Sequence, residues 1–125
     1  MRRLLFAVPA LLVATPAMAQ TMNAENFYQR AMKLKGKGAL AVFAGGEIKT
    51  LMKEGQAAGK ASSAAHKALE TAGKPTRFCP PKGPQKMGSD EFMTRLAAIP
   101  QADRKRIDMT EAMTRIFIAK FPCRG

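Results

Sequence analysis

Residues 89–123 read SDEFMTRLAAIPQADRKRIDMTEAMTRIFIAKFPC, and two helices can be read in them before any other part of the chain is considered. Ser89 stands as an N-cap ahead of Asp90 and Glu91, acids that suit the positive end of a helix. Phe92, Leu96 and Ile99 then fall on one face, and Pro100 bars an easy continuation. Gln101 to Arg106 leaves room for a further turn. Asp108 with Glu111 three residues on is a capping-box-like start for a second helix through Lys120. Its inner stripe is Met109, Ala112, Met113, Ile116 and Phe117, and Phe121-Pro122 ends it.

Upstream, Lys74 to Gly88 holds Pro75, Pro80, Pro81, Gly83 and Pro84, a density of ring-locked and flexible residues that excludes a regular element and predicts a loop. Before it, Glu47 to Ala72 is helical in period, but its stripe is mostly small: Gly55, Ala58, Gly59, Ser62 and Ala65 follow Ile48, Leu51 and Met52. Small side chains permit close backbone approach, and each interior glycine costs about 1 kcal/mol relative to alanine. The segment is therefore either one helix whose glycines are offset by packing or two helices broken near Gly59. Gly73-Lys74-Pro75 stops it. Further upstream, Asn23 is an N-cap for a helix to about Lys35, with Phe27, Ala31 and Leu34 inward and Glu25 near the positive end. Gly36 to Gly46 is a connection containing the short apolar piece Ala39 to Phe43, with Gly45-Gly46 either a bend or a helix start. Nothing alternates with a period of two, so the expected fold is all-α, a small bundle of about four to five helices with one disulfide.

The first residues, Met1-Arg2-Arg3, an apolar run from Leu4 to Val13 and then Ala17-Met18-Ala19, follow the order of a signal peptide, with cleavage expected after Ala19. The run is interrupted by Pro9 and is too short for a membrane span. Residues 20–125 are then one domain, expected in the periplasm or outside the cell, with no span in the mature chain. The formal charge of +12 becomes +10 once Arg2 and Arg3 leave, a field that favours acidic partners or anionic surfaces. The bases are spread from Arg30 to Arg124 with only Arg104-Lys105-Arg106 as a run, and Trp is absent. Neither a nucleic-acid patch nor a base-stacking surface is evident.

An even pair of cysteines in a short exported chain predicts a bond between Cys79 and Cys123. On the chain-entropy model, closing that loop is worth roughly 4 kcal/mol. The alternatives are two free thiols or a metal pair, but a structural zinc site takes four ligands and His66 is the only histidine. Catalytic chemistry finds little support. His66 lies one turn from Ser62 without an oxyanion-hole signature, and a lone histidine on a polar helix face reads as a surface residue. The nine acids, apart from the helix-start pair Asp90-Glu91, are scattered singly, and phosphate-loop, dinucleotide and zinc-protease motifs are missing, so no enzyme activity and no cofactor is expected. Met109 and Met113, one turn apart, read as core packing in preference to a copper(I) site. Tyr28 is either an interface or an amphipathic surface residue.

Phe78-Cys79-Pro80-Pro81, the helix from Phe92 to Leu96 followed by Pro100, and the closing Phe121-Pro122-Cys123 together resemble the Rap/Tai-type immunity proteins associated with bacterial type VI secretion. The resemblance covers about the last 48 residues. Members commonly carry a further cysteine pair and a Tyr-x-x-Gly-like segment in the first two helices. Residues 20–78 contain no cysteine, and Gly55 stands at the glycine position without the tyrosine. The resemblance implies a helical periplasmic protein, often dimeric, that plugs the active site of a toxic cell-wall amidase with a protruding loop. Composition makes Pro81, Lys82, Gly83, Pro84, Gln85, Lys86 and Met87, and the Gly36 to Gly46 connection, the exposed candidates for partner binding. A basic chain implies an acidic surface on that partner. The competing reading is a basic structural or housekeeping protein that associates with anionic envelope polymers.

Overall fold

The computed structural model describes residues 21–38 and 45–124. The leader with its cleavage site, and the apolar piece Ala39 to Phe43, lie outside the described residues. Within them are five helices and no strand: α1 (Ala24–Lys37), α2 (Gly45–Thr71), α3 (Ser89–Ala98), α4 (Gln101–Arg104) and α5 (Met109–Lys120). The all-α expectation holds, and Cys79 is bonded to Cys123 across a separation of 44 residues.

Local chemistry explains most helix boundaries. The Asn23 side chain accepts from the Asn26 amide at 3.1 Å, and its own amide nitrogen donates to the carbonyls of Lys105 and Ile107. One residue thus caps α1 and ties it to the turn before α5. The adjoining backbone adds Ala24 N–H to Ile107 and Met109 N–H to Met22, an isolated antiparallel bridge between Asn23 and Asp108. Asp108 caps α5 by accepting from Glu111 N–H at 2.9 Å. The cap predicted at Ser89 is displaced by one residue. Gly88 has the extended backbone of an N-cap (φ −71°, ψ 163°) and makes no side-chain bond. Its carbonyl accepts from Phe92, which places Ser89 inside the first turn, where its hydroxyl no longer faces the orphan amides.

The choice left open for the long segment resolves to one unbroken helix of 27 residues across Gly55 and Gly59. It ends where predicted: Gly73 takes a left-handed φ of 66° while the Lys74 amide reaches back to Leu69, an αL stop that glycine adopts without a Cβ penalty.

The most extensive helix pairing is α2 with α5. Leu51 and Ala58 of α2 join Ala24, Phe27, Leu96, Ile99, Met109, Ala112, Met113 and Ile116 in one buried cluster. Met109 and Met113 are both core residues. Phe27 meets Phe92 edge to face at 5.7 Å, a geometry worth about 0.5–1.5 kcal/mol beyond area burial.

Candidate binding site

An apolar groove of about 650 Å³ opens where α1, α2 and α3 diverge. Leu34 of α1, Ile48, Leu51 and Met52 of α2, and Phe92 and Met93 of α3 form its sides. Met52 is 58% exposed, unusual for so large an apolar side chain on an otherwise polar helix surface. Gly55 and Gly59 lie in the same lining. A Cβ built on either would meet nothing within 4 Å, so these glycines do not serve the close backbone approach that the small-residue stripe predicts. They leave open space in the groove.

The proline-rich loop adjoins this groove. Its residues Pro80 to Lys86 are exposed, whereas Met87 is half-buried and packs on the core. At one end the disulfide fixes Cys79, whose amide also donates to the Phe121 carbonyl at 2.8 Å. At the other, Lys120 Nζ donates to the Lys86 carbonyl at 3.0 Å and to Glu91. Gly83 supplies the left-handed turn at φ 97°. Of the seven residues predicted for partner binding, Pro81 to Lys86 are exposed, and Gln85 and Met87 reach the groove lining. The loop and the groove are therefore one continuous surface. Sequence reasoning found the loop, but it missed the groove-lining faces of α1, α2 and α3.

His66 is not the surface residue it was expected to be. Its side chain is 11% exposed, stacked on Phe78 with ring centroids 4.4 Å apart and paired through Nε2 with Glu70. Phe78 is buried and meets Phe117 in a tilted arrangement, ring centroids 5.2 Å apart. Ser62 does not face His66 as a nucleophile would face its base. Its hydroxyl is buried against that of Thr114 at 2.7 Å, so the arrangement is structural. Among the described residues no group of three or more His, Cys, Asp or Glu side chains is placed to hold a metal ion. No described helix is long and apolar enough to cross a membrane.

The principal buried charge pair joins α1 to α4, and neither member lines the groove. Glu25 accepts from Gln29 at 2.8 Å, Arg104 Nε at 2.6 Å and Gln101 at 3.1 Å. These bonds, Gln29's foremost, hold its carboxyl below the usual glutamate range against the opposing effect of burial. Arg104 also donates to the carbonyls of Ile99 and Ala97, and its guanidinium sits 4.1 Å from the centre of the Tyr28 ring. Tyr28 thus serves an internal contact. Glu47, Glu91 and Glu111 are likewise held low, chiefly by hydrogen bonds from Arg30, Lys120 and Arg77 respectively.

Comparison of the chain with protein-family models, with curated proteins and with solved structures finds no match.

Proposed function

We propose that this chain is an exported inhibitory binding protein of the type VI amidase-immunity kind, not an enzyme, and that loop 81–87 is the part that enters its partner. The observation that carries the reading is the loop's anchorage: an exposed run held by a disulfide at Cys79 and by Lys120 and the core at Lys86 and Met87. A loop fixed in this way loses little conformational freedom on binding, which is the general route to tight inhibition by a small surface. Lys82 and Lys86 give the loop a positive sign, complementary to an acidic rim around an enzyme cleft. The adjoining apolar groove offers that rim a place to bury a side chain. Pairing of two copies is compatible with the reading and is tested by the same experiment.

The protein purified from periplasm is used to capture a secreted wall hydrolase, whose peptidoglycan cleavage is then measured with increasing inhibitor. Stoichiometric loss of cleavage supports the reading, as does its recovery with a P81S/P84S loop variant of unchanged melting temperature. Capture without inhibition, or inhibition indifferent to the loop, overturns it. Analytical ultracentrifugation of the free protein reports whether it pairs.

A further inference from the structure

Basic residues that look scattered along the sequence converge on one side of α2. Lys49, Lys53, Lys60 and Lys67 are all exposed. At about 100° and 1.5 Å per residue they fall within about 40° of one another around the helix and span about 27 Å along it, the last three at steps of about 10.5 Å. The row lies opposite Leu51 and Ala58, the buried face.

Its surroundings leave it uncompensated. Among the described residues none of the four lysines takes part in an ion pair. Of the carboxylates of the same helix, Glu47 and Glu54 lie on the far side, engaged with Arg30 and the Met22 amide, and Glu70, one turn beyond Lys67, is paired with His66. Between the lysines stand Gln56, an uncharged side chain able to hydrogen-bond, and Ala57, Ser63 and Ala64, which are small; all four are exposed. Cations about 10 Å apart are separated by roughly one Debye length at 0.1 M salt, so they coexist at little cost. A chain with negative charges every few ångströms would meet all four at once and release its counterions.

We infer that this row is a binding ridge for a flexible linear polymer of repeating phosphates, laid along the axis of α2. Lysine is a point charge and not a planar fork, which suits a repeating charge more than a shaped ligand. The ridge carries no aromatic side chain, so it offers nothing for nucleobases to stack on. None of the four lysines belongs to loop 81–87, although Gln56 beside the row also lines the groove, and the test below reads the ridge independently of the inhibitory reading.

The test uses the full chain and an inorganic polyphosphate of defined length, with binding followed by calorimetry. Four phosphate contacts predict about twentyfold weaker binding between 50 and 150 mM salt. The variant K49Q/K53Q/K60Q/K67Q should bind at least about tenfold more weakly, with a flattened salt dependence. A control, K33Q/K35Q/K105Q/R106Q, removes the same four charges from exposed sites elsewhere and should stay within a few-fold of the parent. Equal losses in the two variants would reduce the ridge to bulk charge and overturn the inference, and so would tighter binding of duplex DNA than of polyphosphate at matched charge. The P81S/P84S loop variant should keep full polyphosphate binding.

Discussion

The two sides of α2 are built on opposite principles. Where the helix meets α5 and the Cys79–Cys123 bond, polar side chains are paired across elements, Ser62 with Thr114, Arg77 with Glu111 and Lys120 with Glu91, and His66 Nδ1 alone is buried without a partner among the described residues. Where it faces α1 and α3, apolar side chains stand open, Met52 is exposed and two glycines leave space. The cross-element bonds of the described residues are thus concentrated in the C-terminal half and in the strap joining it to Asn23, while the other side keeps apolar surface uncovered.

The sharpest way to break that contrast is Arg104→Ala. Removing the cation of a buried pair leaves the Glu25 carboxylate with only the neutral donors Gln29 and Gln101, and a loss of about 3 kcal/mol is expected in denaturant unfolding. The double change E25A/R104A should be less damaging than the sum of the two single changes. Next in size, C79S/C123S should cost about 2–4 kcal/mol and expose the loop to proteases. An unchanged melting temperature would remove the clasp from the account.

Acid should act through the same region. Glu25, Glu91 and Glu111, with Glu47, have folded-state carboxyls held below the ordinary range by their donors. The stabilisation is present in full above the unfolded glutamate pKa and is lost as pH falls through the depressed folded values. Melting temperature should therefore decline progressively below about pH 4, and Glu25→Gln should make the decline shallower.

The smallest effect has the opposite sign and belongs to the open side. Gly55→Ala and Gly59→Ala should each stabilise the protein by about 0.5–1 kcal/mol, since both positions are helical and a Cβ has room. Destabilisation by either would mean that the groove closes on the glycines in solution.

What the sequence made legible was whatever is settled within one turn of the chain. Asn23 and Asp108 cap because the amides they serve lie three residues on, and Gly73 stops α2 by its own backbone freedom. Ser89 failed as a cap because Gly88, one residue earlier, has the more suitable backbone. His66 was misread because what buries it is Phe78, twelve positions away and beside a disulfide cysteine. Glu25 has a local role at a helix start and a local partner in Gln29, yet its cationic partner Arg104 is 79 residues distant. The lysine ridge escaped notice for the converse reason: a spacing of four, seven and seven looks dispersed along a line and becomes a row only once α2 is known to be unbroken.

The buried contact between the Ser62 and Thr114 hydroxyls has one more consequence. Two helices joined by small and flexible apolar side chains can slip lengthwise by a turn at modest loss of packing. A slip here would strand the Ser62 hydroxyl away from water, at about 1–3 kcal/mol, while Thr114 keeps its own bond to the Thr110 carbonyl. The pair therefore works as a detent: it adds little to overall stability but makes the alternative alignment costly, so that α2 keeps its position along α5.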